Sequence, residues 1–267
     1  MRIGFVGAGR MGRPMVARLV AAGHEVRVLA RSEGARAELA DLGATPVGDL
    51  SAVAEAAEAV VVCVFTDDQV REVCLNGPLL SALPADSVLI VHTTGSPDTA
   101  TALADAAPEG VHVVDAPVSG GPHDIAAGRL TVMIGGDERA VGLARPVRSA
   151  YGDPLVHVGP LGTGQRVKLV NNALFTAQIG LIAEAVRLAR ALGLPESALL
   201  AALPHASSGS RALAGVAAKG SVAEFHSSVG EFVRKDVAVA RALAADLGVD
   251  LGVLDAAIAA GEVTATE

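Results

Sequence analysis

The chain has 267 residues, 51% of them apolar, a length that allows one large or two modest domains at roughly 100–200 residues each. Its formal charge is −8 and its Lys and Arg residues are scattered, not gathered in a stripe, which argues against a phosphate-backbone surface, and nucleic acid is not an expected partner. Its only cysteines, Cys63 and Cys74, have no Cys or His cluster beside them, which speaks against a disulfide framework or a structural zinc site and fits a reducing cytoplasm.

In chain order, the opening MRIGFVGAGRMG is broken by glycines and Arg10 and does not read as a signal-peptide core. No uninterrupted apolar span long enough to cross a membrane stands out, so no membrane partner is expected. A first strand is expected at residues 2–6 and a helix at 10–22. Between them lies Gly7-Ala8-Gly9-Arg10-Met11-Gly12, in the strand-to-helix context that a dinucleotide-binding turn requires. The first glycine permits the tight turn, the second admits the pyrophosphate, and the third lets helix pack on strand, with Arg10 and Met11 lining the same turn.

A second strand is expected at 25–30 and a helix at 33–42. An acid at that strand's end would hold the ribose hydroxyls of NAD; here stand Arg31 and Ser32, with Arg36 one helical turn further. A guanidinium forms paired charge-assisted bonds to phosphate oxygens, so the 2′-phosphate of NADP is the expected partner. The alternative is that Arg31 only covers the adenine and Glu33 supplies the acid for NAD.

Further strands are expected at 59–65, 87–92, 111–115, 130–134 and 155–158, with helices at 51–57, 67–74, 97–107 and 138–151 between them. Short Val/Ile/Leu runs alternating with longer helical segments indicate a Rossmann-type, doubly wound, mainly parallel α/β sheet. After the glycine-marked GPLGTG at 159–164 the β-branched runs almost vanish, and helices are expected at 165–192, 195–203, 211–218 and 231–247. The division is therefore a nucleotide-binding domain at 1–160 and an all-α domain at 161–267, with a cleft near residue 160 and a long helix, not a tether, as the junction. Cys63, within AVVVCVF, is expected to be a buried small residue.

Three later segments point to an enzyme: DAPVSGG at 115–121, the GxxGxGxxxKxxNN run at 159–172, and Arg234-Lys235-Asp236. Lys168 and Asn172 are four apart and share a helix face. Oxidising an alcohol or reducing a carbonyl needs a proton carrier within hydrogen-bond reach, and a lysine serves both directions. With these motifs, and with IGFVGAGRMGRPMVARLVAAGHEV, GRLTVMIGG and KLVNN, the chain resembles the β-hydroxyacid dehydrogenases over nearly its whole length. That is the family of 3-hydroxyisobutyrate dehydrogenase, tartronate semialdehyde reductase and the glyoxylate/succinic semialdehyde reductases.

The resemblance implies Lys168 as acid/base and Asn172 as the amide that keeps substrate and lysine in register. It implies Ser119, Gly120 and Gly121 around a substrate carboxylate, Thr94 near the nicotinamide ribose, Lys235 closing over the cofactor, and Asp236 orienting that region. The implied substrate is a small hydroxy acid or its semialdehyde or keto acid. Two rival readings are an imine reductase of the same architecture, which commonly lacks the lysine, and a catalytically silent NADPH-binding scaffold.

The seven histidines show no ligand spacing, and no metal is expected. Where the family usually continues with a Gly-Ala pair, this chain has His123-Asp124-Ile125. A carboxylate there disfavours an anionic substrate tail, unless Asp124 points outward or pairs with Arg129. Gly95 replaces a branched residue. The helical part ends soon after LDAAIAA at 254–260, earlier than in relatives, so a homo-oligomer that completes the substrate wall is expected.

Overall fold

The computed structural model describes residues 1–263 and divides into two units, Met1–Lys168 and Leu169–Glu267. In the first, strands β1 (Arg2–Val6), β2 (Glu25–Leu29), β3 (Thr45–Val47), β4 (Ala59–Val62), β5 (Val88–Val91) and β6 (His112–Asp115) pair in the order β3-β2-β1-β4-β5-β6, all parallel. The order reverses between β1 and β4, which creates a crevice at their carboxyl ends where open α/β sheets bind nucleotides.

Beyond β6 the direction changes. Strand β8 (Leu130–Gly135) is antiparallel to β6, β7 (Val118–Ser119) is antiparallel to β8, and β9 (Gly152–Gly159) lies parallel to β8. The sheet is thus parallel in its nucleotide half and mixed at its far edge. The three-residue β3 had no sequence signal: it is short, carries Pro46, and sits at the edge where a missing N–H is tolerated.

Both sheet faces are covered, which is why the central strands read as unbroken apolar runs. On one face Ile3, Phe5, Val28, Val61 and Ile90 meet Met15, Val16 and Leu19 of α1 (Gly12–Ala21) and Ala140, Ala144 and Val147 of α7 (Glu138–Ser149). On the other, Val6, Val60, Val62 and Leu89 meet Val53 of α3 (Leu50–Ala54), Val70 of α4 (Asp67–Arg71) and Leu103 of α5 (Pro97–Ala106). Each buried Val, Leu or Ile contributes about 1.5–3 kcal/mol, so alternate residues of one strand hold the two layers together. The expected helix at 67–74 is α4 followed by a π-turn, Glu72–Asn76.

Under the β5 end His92 is buried, its Nδ1 donating to Ala116 O at 2.5 Å and its Nε2 accepting from the Tyr151 hydroxyl at 2.7 Å. Burial depresses the ring to about 4, so it is neutral at ordinary pH and its tautomer follows from the carbonyl it serves. Cys74 is buried as a small apolar residue, and the Cys63 thiol is enclosed although the residue as a whole is half-buried. Burial pushes each thiol up to about 12, so neither is a ready nucleophile.

The second unit holds most of α8 (Thr163–Ala191), with α9 (Glu196–Ala202), α10 (Arg211–Lys219), α11 (Val222–Asp246) and α12 (Val253–Val263). Ile179, Ile182 and Val186 of α8 pack with Leu200, Leu213, Val216 and Phe225, and a smaller cluster joins Ala177, Val237 and Ile258. Gly180 lets α8 and α12 touch backbone to backbone: a Cβ there would lie 1.8 Å from Ala257 O.

Helix α11 begins nine residues before the expected 231, a correction with a local cause. Ser227, Ser228 and Gly230 lower helix propensity, but Ser221 caps the helix by accepting from Glu224 N, and Val222 and Phe225 bury one face. Burial outweighs propensity. The reading of no membrane-length span is corrected too: α8 is long and apolar enough by length and hydropathy, and half of its most apolar window is buried within the fold.

Candidate active site

The glycine loop follows β1 at the crevice. Gly7 has φ +99°, and a Cβ there would lie 2.3 Å from Cys63 O, so only glycine lets the ends of β1 and β4 approach. A Cβ at Gly12 would meet Gly7 O at 2.2 Å, which is the close strand-to-helix contact. Gly9 is different: a Cβ there would meet nothing within 4 Å, so its bare backbone opens outward. Helix α1 starts with no side-chain cap on its amides and no acid in its first turn. Uncapped N–H groups, an unopposed helix dipole and an open backbone cradle fit a pyrophosphate. Arg10 is exposed and Met11 half-buried beside this turn.

At the β2 end, Ala30 is buried, and Arg31, Ser32 and Arg36 are exposed together around the start of α2 (Glu33–Asp41). Ser32 caps that helix, its Oγ accepting from Ala35 N at 3.3 Å, and its hydroxyl hydrogen remains able to donate. Arg36 reaches the turn after β3, where a Cβ at Gly48 would lie 3.1 Å from its Nη2. Arg31 and Ser32 stand at the start of this helix, and Arg36 follows one turn later. Glu33 is exposed in the same first turn.

The ends of β4 and β5 are tied by Thr93, whose Oγ1 accepts from Val64 N and donates to Val64 O, both at 3.0 Å. Thr94 is half-buried next to it. Gln165 then ties the following turn to the start of α8: its Oε1 accepts from Gly95 N at 3.0 Å and its Nε2 donates to Thr93 O at 2.8 Å. Gly95 leaves room for another side chain, since a Cβ there would lie 1.9 Å from Asp67 Oδ1.

Asp115 is the largest omission of the sequence reading. It is fully buried at the end of β6, and its two oxygens accept from Gly162 N at 2.7 Å and Gln165 N at 2.6 Å. It thereby caps the helix on which Lys168 stands one turn later. Burial raises its carboxyl above the ordinary value, and the two amides only partly offset that. Gly135 and Gly164 make space for it, since a Cβ on either would lie 2.2 or 2.7 Å from its oxygens.

Lys168 is 9% exposed, an unusual burial for a lysine. The Ser119–Gly121 loop follows β7, which runs parallel to β1, so it leaves the sheet at the same carboxyl edge as the glycine loop. Asp124, in the short helix α6 (Pro122–Ala126), folds back on this loop and accepts from Gly121 N through Oδ2 at 2.8 Å. It is 7% exposed and does not point outward. In the second unit, Asn172 is also 9% exposed; its Nδ2 donates to Asp236 Oδ2, and its Oδ1 accepts from Asn171 at 2.9 Å. Lys235 Nζ lies 2.6 Å from the other oxygen of buried Asp236. One carboxylate thus joins the amide of α8 to the ammonium of α11. Among the described residues, no group of three His, Cys, Asp or Glu is arranged to hold a metal ion.

Residues 2–159 match the model of the NAD binding domain of 6-phosphogluconate dehydrogenase, and residues 162–265 that of the NAD-binding domain of NADP-dependent 3-hydroxyisobutyrate dehydrogenase. An uncharacterized oxidoreductase of Mycobacterium tuberculosis is 38% identical over 210 residues, 78% of this chain and 70% of its own length. The 2-(hydroxymethyl)glutarate dehydrogenase of Eubacterium barkeri is 36% identical over 201 residues, 74% of this chain and 66% of its own. A solved Mycobacterium tuberculosis 3-hydroxyisobutyrate dehydrogenase, with L-serine, superposes with a TM-score of 0.86 at 29% identity, covering 100% of this chain and 94% of that one.

Proposed function

The chain belongs to the β-hydroxyacid dehydrogenase family of oxidoreductases, and from that premise we propose that it passes a hydride between NADP(H) and a small hydroxy acid or its semialdehyde or keto acid, with Lys168 as general acid/base. The observation that carries this is a lysine only 9% exposed, one turn into a helix whose first amides are bound by Asp115 of the nucleotide-binding sheet.

Gly7, Gly9 and Gly12 hold the pyrophosphate, with Arg10 and Met11 beside it. Arg31, Ser32 and Arg36 take the 2′-phosphate, Thr94 faces the nicotinamide ribose, and Lys235 covers the cofactor. The bound nicotinamide supplies the hydride in reduction and accepts it in oxidation. Lys168 gives its proton to the carbonyl oxygen as charge develops there, and in the reverse direction takes the hydroxyl proton. Asn172, steadied by Asp236, donates its amide to the substrate, and Ser119 with the Gly120 and Gly121 backbone forms the wall against the substrate's other end.

The test is consumption of NADPH and of NADH against a panel of semialdehydes, keto acids and cyclic imines. Turnover of carbonyl acids with NADPH is expected, and Arg31→Ala combined with Arg36→Ala should raise KM for NADPH by about 10–100-fold while leaving NADH unaffected, as losing two charge-assisted phosphate contacts implies. Turnover of imines alone, or tight NADPH binding with no turnover, overturns the reading.

We also propose a homo-oligomer. Val167, Leu174, Leu181 and Leu188 of α8 are 40–60% exposed at intervals of seven residues, with Val170 and Leu192 exposed beside them. A strict seven-residue apolar repeat suits a second helix. An antiparallel copy of the same helix sets Leu174 against Leu181 and Val167 against Leu188. Set face to face, two such helices remove these side chains from water. Light scattering should give at least twice the chain mass, and Leu181→Glu should halve it; a monomer at micromolar concentration overturns the proposal.

A further inference from the structure

We propose that Asp124 closes the Ser119–Gly121 loop to carboxylates, so that the substrate group received there is an uncharged hydrogen-bond donor, a hydroxyl or a carboxamide. The inference rests on the reading of this loop as part of the substrate wall.

The loop has the position for that task, at the carboxyl edge shared with the nucleotide turn. Its chemistry is altered by its own sequence. An anion would be received by backbone N–H groups, but Gly121 N is already bound to Asp124 Oδ2 at 2.8 Å. An ionised carboxylate is among the strongest acceptors for an amide, so an incoming carboxylate would have to displace one already in place and covalently tethered three residues away. The competitor is also poorly hydrated: Asp124 is 7% exposed, where charge repulsion is weakly screened.

The backbone is built around this side chain. Gly120 has φ +133°, and a Cβ there would lie 2.7 Å from Asp124 Oδ2, so the loop lies directly against the carboxylate. His123 Nε2 lies 3.3 Å from the same oxygen, but its side chain is 81% exposed and its influence is screened by water. A carboxylate can only accept, so the complementary ligand group is a donor. A carboxylate beside the reacting carbon is then bound away from Gly121, and the far end of the substrate, which meets this loop, is uncharged.

The test compares three aldehydes with NADPH: succinic semialdehyde, its carboxamide 4-oxobutanamide, and 4-hydroxybutanal. The neutral two should exceed the carboxylate at least tenfold in kcat/KM. Asp124→Asn, which keeps an oxygen for Gly121 N and removes the charge, should bring that ratio close to one without changing NADPH affinity. A wild-type preference for the carboxylate, or a ratio that Asp124→Asn leaves unmoved, overturns the inference. If none of the three is reduced although NADPH binds, the proposed reaction fails, and the Gly121 amide resonance of the NADPH complex decides the inference alone. Succinate should leave that resonance unmoved in the wild type and shift it in Asp124→Asn; a saturable wild-type shift overturns it.

Discussion

Lys168→Ala is expected to lower kcat by about three orders of magnitude while NADPH affinity stays unchanged, because removing a positioned acid/base typically costs between 10² and 10⁴ in rate. The lysine is buried and stands on a helix pinned at its start, so the backbone that carries it is held in place before substrate arrives. Lys168→Arg should not restore the rate, since a guanidinium keeps its charge but does not give up a proton near neutral pH. Steady-state kinetics with the best substrate of the panel, and NADPH titration followed by nucleotide fluorescence, check both halves. Ordinary turnover by Lys168→Ala would remove the proposed proton carrier. Loss of NADPH binding would show that the side chain holds the cofactor instead.

Asp115→Ala is expected to destabilise the sheet unit by about 2–6 kcal/mol, since two buried amides lose a strong acceptor and each unsatisfied donor costs about 1–3 kcal/mol. Asp115→Asn should cost less, because one amide keeps an oxygen while the other faces an NH2 group. The variant that still folds should also lose about 10–100-fold in kcat, because a shift near 1 Å in a helix carrying the acid/base is enough for that. Urea midpoints and steady-state rates read the two effects separately.

The pH dependence has a definite sign. Burial raises the folded-state carboxyl above its ordinary 3.8, so between 3.8 and the folded pKa the folded chain binds more protons than the unfolded chain. The contribution of this group to stability is therefore fully present below 3.8 and falls as pH rises through that window, opposite to a salt-bridged carboxylate. The advantage of wild type over Asp115→Asn should shrink in the same direction. An advantage that grows with pH would mean that the two amide bonds outweigh the desolvation.

Much of the first unit was legible because its determinants are local. The Gly7–Gly12 turn is read from six consecutive residues in a strand-to-helix step, although the close neighbour that requires Gly7 is the distant Cys63, and the β4 and β5 cores are apolar because both sheet faces are covered. Arg31 and Ser32 at the β2 end follow from counting along one strand-to-helix step. Asp115 was quoted within a motif yet given no task, because its partners lie 47 and 50 residues further along the chain. Gln165 and Thr93 were missed for the same reason. Asp124 was noticed as a departure, but its direction was not readable: the same residues allow an outward carboxylate or one folded back on Gly121.

What the amino-acid order determined by itself was the nucleotide-binding sheet, the succession of helices after it, and the residue types available for chemistry. Periodicity, glycine spacing and helical offsets act over a few residues and survive without a partner. The tertiary structure alone decided the reversal of strand direction after β6, the early start of α11, the burial of Asp115 beneath α8, and the capture of the Gly121 amide by Asp124. Each of these is a competition between local propensity and burial or hydrogen bonding. Its winner depends on which surfaces meet, and that is known only once the chain is folded.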